Sequence, residues 1–138
     1  MTNAGYSGTP LARKLNLKDG LRVWWEDMPP PIRAEIESWG CRLQHLLWHE
    51  PPLDAAHVFV TSRADLESAI QRLRPLLAPA GFLWVSWPKK ASRVPTDITE
   101  DVIRDVAIPT GLVDVKVCAV DETWSGLKLM IRRELRDR

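Results

Sequence analysis

Apolar residues along this chain fall into short continuous runs and into repeats three or four residues apart, and the two patterns alternate. Leu21 to Trp25 is a short run and predicts a strand. Ile32, Ile36 and Trp39 then recur at helical spacing, with Gly40 as a natural C-terminal stop. Cys41 to Trp48 alternates loosely, as a second strand would, until Glu50, Pro51 and Pro52 break it. Ala56 to Thr61 is continuously apolar around Val58, Phe59 and Val60, the pattern of a strand covered on both faces. Ser62 can cap the next helix, whose buried stripe is Leu66, Ile70, Leu73 and Leu77 and whose end is Pro79, Ala80 and Gly81. Phe82 to Trp87 is the following strand. Beyond Pro88 a polar loop carries Lys89, Lys90, Ser92 and Arg93, and Asp97 or Thr99 caps a helix bearing Ile98, Val102, Ile103 and Val106. Leu112 to Val120 and Leu127 to Arg133 flank a turn at Asp121 to Gly126 and read as a hairpin. Near the N-terminus, Thr9 and Pro10 suit an N-cap and a first helical position, opening a short helix through Leu11 and Leu15.

Strands alternating with helices predict an α/β fold, with a mainly parallel sheet, helices on both faces and a C-terminal antiparallel hairpin. The 138 residues, 45% of them apolar, suit a single domain over 1–138 with a substantial core. The 19 basic and 18 acidic side chains leave a net charge of +1, so bulk electrostatics draws the chain to neither nucleic acid nor an anionic membrane. Lys128, Arg132 and Arg133 alternate with apolar residues only in part, which disfavours a nucleic-acid surface there. No apolar run can span a bilayer and Met1 to Pro10 lacks the apolar core of a signal peptide, so the cytoplasm is the expected location. In that setting Cys41 and Cys118 are expected as buried free thiols. Cys41, His45 and His49 stand at spacings that suit zinc, but no fourth ligand or CxxC pair accompanies them and no metal site is expected.

In open sheets of this class, ligands gather at the C-terminal strand edges where strand order reverses, which puts Glu26, Asp27, Thr61, Ser62, Trp87, Lys89 and Lys90 on the rim of the expected crevice. The turn after the first strand constrains function most. Where many nucleotide-binding sheets place glycines, it reads Glu26, Asp27, Met28, Pro29, Pro30, Pro31. Three prolines supply neither flexible backbone nor free N–H groups for a phosphate cradle. The positive candidate is Trp87 to Ser92, where an indole beside two ammonium groups can stack on a ligand and neutralise its charge, as an anionic metabolite requires. Its alternative is an exposed basic loop in which Trp87 plugs the sheet edge. Trp124, in the hairpin turn among Asp121, Glu122, Ser125 and Lys128, is either an anchor for a protein partner or a cover for the sheet edge. The hairpin edge and seven tryptophans also admit a homodimer. Ser86 and Lys89 spell SxxK, but a serine preceding Pro88 at a strand end is not one helical turn from that lysine. Asp97, Glu100 and Asp101 answer the helix dipole better than they form an acid–base pair.

LNLKDGLRV leading into the first strand, LRPLLAPAGFLWVSW leading through a helix into a later one, and the closing hairpin resemble a shortened class I methyltransferase sheet. The stretches YSGTPLARKL, FVTSRADLESAIQRLRPLLAP, LWVSWPKKASRVPTDITEDVIRDVA and GLVDVKVCAVDETWSGLKLMIRR resemble a family of short bacterial proteins catalogued as a domain of unknown function. The departure lies in Val23 to Pro52. The resemblance implies a Rossmann-like fold, with S-adenosylmethionine gripped by a glycine loop after an acid on the first strand and by an acid ending the second. Glu26 and Glu50 fall at roughly those places, whereas the glycines and an intervening strand and helix are missing. The expectation is a non-catalytic small-ligand-binding or protein-interaction module, its cofactor left open. The alternative is a divergent S-adenosylmethionine-dependent transferase using Glu26, Trp87 and Lys89.

Overall fold

A computed structural model describes residues 8–136, so Tyr6 and Ser7 of the N-terminal stretch lie outside the described residues. The apolar runs become six strands of one sheet: β1 (Arg22–Glu26), β2 (Gln44–His45), β3 (Leu53–Phe59), β4 (Leu77–Pro88), β5 (Leu112–Ala119) and β6 (Trp124–Ile131). Their spatial order is β2-β1-β3-β4-β6-β5. Strands β1 to β4 run parallel, and β6 lies antiparallel between β4 and β5. The chain leaves β1 for β2 on one side and returns to β3 on the other, so strand order reverses between β1 and β3.

Side-chain alternation sends the longer strands into two separate cores. On one face Val23, Ala55, Phe59, Phe82 and Trp84 pack against α1 (Leu11–Lys14) and α2 (Pro30–Glu37). On the other, Val58, Val60, Leu83, Val85 and Trp87 pack against α3 (Arg63–Leu73) and α4 (Glu100–Ala107). Trp84 is 1% exposed and donates its indole N–H to the Leu15 carbonyl at 3.0 Å, satisfying both groups where water does not reach. Ser62 and Thr99 cap α3 and α4 through Asp65 N and Val102 N, as the sequence leads one to expect.

Several boundaries differ from the sequence reading, each for a local reason. Pro75 stops α3 at Leu73 in a 3₁₀ turn over Arg74–Leu76, so Leu77 leaves the helical stripe and starts β4 five residues ahead of Phe82. Pro10 caps α1 instead of occupying its first turn, and its carbonyl receives Arg13 N and Lys14 N. Helix α2 ends at Glu37, which leaves Trp39 47% exposed outside the stripe of Ile32 and Ile36. The second strand shrinks to two residues because the chain turns at Trp48, whose carbonyl receives Glu50 N. Cys41 and Cys118 are free but only half-buried. No helix among the described residues is long and apolar enough to cross a membrane.

Candidate functional site

The reversal between β1 and β3 is where a crevice opens in sheets of this kind. Here it forms a cavity of about 180 Å³ whose wall includes Glu26, Asp27, Phe59, Asp65, Ser68 and Arg72. Ligand sites are ordinarily about 300–1,000 Å³, and this one falls below that range. Arg72, projecting from α3, closes on Glu26 with two parallel bonds of 2.9 Å, the geometry in which a guanidinium holds a carboxylate most firmly. Trp24 Nε1 donates to the same carboxylate at 2.8 Å. The Arg72 hydrogen bonds hold the Glu26 pKa below its ordinary value against the opposing effect of burial.

The proline turn completes the closure. Asp27 adopts a left-handed conformation with φ of 58°, and Pro29 then caps α2 with Pro30 and Pro31 in its first turn. None of the three has an N–H. The next two donors, Ile32 N and Arg33 N, are already spent on the Pro29 carbonyl. A helix N-terminus that would elsewhere offer free donors to a phosphate has none to give. Glu50 does not supply the second acid of the resemblance. Its carbonyl meets the Arg22 guanidinium, which also binds Pro52 O at the start of β3, so its backbone is tied to the opposite end of the strands.

Trp87 and Lys90 belong to a second cavity, of about 310 Å³, walled also by Pro88, Thr96, Ile98 and Glu100. Trp87 is 7% exposed and is part of the core packed against α4. The loop after it is tied down: Lys89 N donates to Thr123 O at 2.7 Å, and Ser92 Oγ donates to Lys89 O at 2.7 Å. Of the charged groups in this wall, Glu100 is matched by Arg104 at 2.9 Å. Lys90 has no ion-pair partner among the described residues. The rim residues expected together are therefore divided between two cavities. Between them, Thr61 O receives Thr96 Oγ1 at 2.7 Å and Ser62 is committed to capping α3.

Trp124 starts β6 instead of standing at the tip of the turn, and it meets Phe59 edge-on with ring centres 5.1 Å apart. His45 packs edge-on against Trp25, and His49 lies beside Trp24 and Trp48.

Sequence reasoning missed a buried polar pair. His57 Nε2 and Ser86 Oγ lie 2.7 Å apart at 2% and 0% exposure, with the imidazole stacked on Phe59. Burial pushes the His57 pKa down to about 3, so the ring is neutral at ordinary pH. The signal available was the lone serine in the apolar run Phe82 to Trp87; His57 gave less, because β3 also carries Asp54. Shielded from solvent, the pair joins β3 to β4.

No family model matches the chain, and no curated protein matches it. Solved structures do. Fibrillarin of Aeropyrum pernix with natively bound S-adenosyl-L-methionine superposes with a TM-score of 0.53 at 13% identity, covering 93% of this chain and 76% of that one. The ribosomal protein L11 methylase of Lactobacillus delbrueckii gives 0.53 at 12% identity, over 88% of this chain and 74% of its own. LepI in complex with SAM gives 0.53 at 10% identity, with 88% of this chain covered. The fold is Rossmann-like and methyltransferase-like. The chain spans only 39% of the LepI chain, and identities this low speak for the fold alone.

Proposed function

We propose that this chain is a non-catalytic binding module on a methyltransferase-like fold, taking a small anionic ligand in the slot beside Trp87 and Lys90. Placement in the cytoplasm, in one domain and in the short bacterial family that its sequence resembles is part of the same proposal. One observation carries it: the crevice between β1 and β3 is occupied by the protein's own Arg72–Glu26–Trp24 cluster beneath a donor-free helix N-terminus. Trp124, half-covered on Phe59, serves as the anchor for a protein partner or a second copy if the module works through contacts.

Titration calorimetry with S-adenosylmethionine and its demethylated product tests the reading, with no saturable heat expected for either. Micromolar binding of the methyl donor overturns it. The rival, a divergent S-adenosylmethionine-dependent transferase, draws support from neighbours solved with that cofactor. It requires Arg72 to leave Glu26.

A further inference from the structure

At the other end of the strands, on the face covered by α1 and α2, Lys18 and Lys128 line a cavity with no acid among the described residues of its wall, and a third lysine lies beside it. Lys116 of β5 stands directly opposite Lys128 of β6 in the antiparallel register. Like charges so placed cost stability, and Lys116 itself is exposed. Lys128 Nζ donates to Asn16 Oδ1 at 2.9 Å and lies 4.6 Å from the centre of the Phe82 ring. Burial, followed by the ammonium groups of Lys116 and Lys18, holds the Lys128 pKa below its ordinary value, and among the described residues no carboxylate offsets them. Asn16, Lys18, Leu21, Phe82, Lys128 and Met130 line a cavity of about 310 Å³.

Uncompensated cations around a concavity with apolar walls focus potential on an anion. A dianion neutralises such a cluster more completely than a carboxylate does, and phosphate oxygens accept from several ammonium groups at once. Leu21, Phe82 and Met130 offer the apolar wall that an organic body needs. We infer that this cavity binds a small phosphomonoester, its phosphate among Lys18, Lys116 and Lys128 and its organic part against Phe82 and Leu21. The repulsion between Lys116 and Lys128 is then a cost of the empty site that the ligand relieves. This site lies away from the Trp87 slot and does not depend on the function proposed above.

The test is calorimetry and thermal melting of the whole chain with phenyl phosphate, inorganic phosphate and phenol as probes at low ionic strength. Phenyl phosphate is expected to saturate below ~1 mM, inorganic phosphate to bind several-fold more weakly and phenol not at all. Lys116→Gln should weaken phenyl phosphate about tenfold while raising the melting temperature of the free protein, a pairing that a purely structural lysine does not give. Lys18→Gln should weaken binding without that rise. Failure of phenyl phosphate to saturate by ~10 mM overturns the inference. So does a Lys116→Gln protein that binds as the parent does or melts lower. Because the methyl donor is tested separately at the other strand edge, either proposal can fail while the other stands.

Discussion

Two charge pairs at the edges of this sheet, one of them completed from α3, are built on opposite principles. Glu26 and Arg72 face each other with unlike charges, two bonds of 2.9 Å and an indole N–H completing the carboxylate's partners. Lys116 and Lys128 face each other with like charges, and Lys128 relies on a neutral amide and an aromatic ring. The matched pair sits where a methyltransferase-like sheet has its crevice, and it leaves little room there. The mismatched pair sits beside an open cavity at the far strand edge. The position of a crevice and the availability of charge within it are therefore separable: fold places the first, and side-chain pairing decides the second.

The largest expected effect comes from turning the matched pair into a mismatched one. Glu26→Lys should cost roughly 2–4 kcal/mol in urea unfolding, below the figure for a fully buried pair because Arg72 is 42% exposed. Adding Arg72→Glu should recover at least half of that loss, and a double-mutant cycle with no coupling would remove the pair from the argument. Next is the neutral pair, His57 with Ser86, which isolates burial from charge pairing. The unfolded chain takes up the His57 proton near 6.5 and the folded chain only near 3, so stability is full above pH 6.5 and falls as pH drops below it. Between pH 6.5 and 4.5 the loss should be about 2–3 kcal/mol, and His57→Gln should flatten it. Glu26 acts in a lower window. Its folded pKa lies below 4.5, so its contribution is present above that pH and is lost as pH falls through the folded value. A flat midpoint from pH 6.5 to 4.5 would show that His57 is not the desolvated group described.

Smaller and opposite in sign is the conversion of the mismatched pair to a matched one. Lys116→Glu should stabilise the free protein by roughly 0.5–1 kcal/mol, read as a rise in melting temperature. A fall would mean that Lys116 has a structural contact stronger than its repulsion from Lys128.

The matched pair was half legible in the sequence. Glu26 was placed at the crevice because strand ends are marked by apolar runs, and the prolines after it forbid a phosphate cradle from covalent structure alone. Arg72 was not legible, because 46 residues separate it from Glu26 and only the packing of α3 over β3 brings them together. The lysine pair was hidden for the same reason: register across a hairpin with a bulge between Asp114 and Lys116 decides which residue faces Lys128, and a one-residue slip would send Lys116 to the other face. Strand and helix existence could be read because periodicity is local. The division of the rim into two cavities could not, since Trp87 enters the α4 core by the parity of β4 and not by its own chemistry.

The smallest expected effect separates an unmatched charge from a repelled one. Lys90 has no ion-pair partner among the described residues, yet it lies in an exposed loop where solvent screens it. If lack of a partner alone destabilised the fold, Lys90→Met would raise the melting temperature as Lys116→Glu is expected to. The expected change is instead within about 0.5 kcal/mol, because a solvated ammonium without an opposed charge costs the folded state nothing. Equal stabilisation by both variants would mean that the cost of Lys116 and Lys128 comes from total positive charge and not from their register, and the lysine cavity would lose the strain that marks it as a binding site.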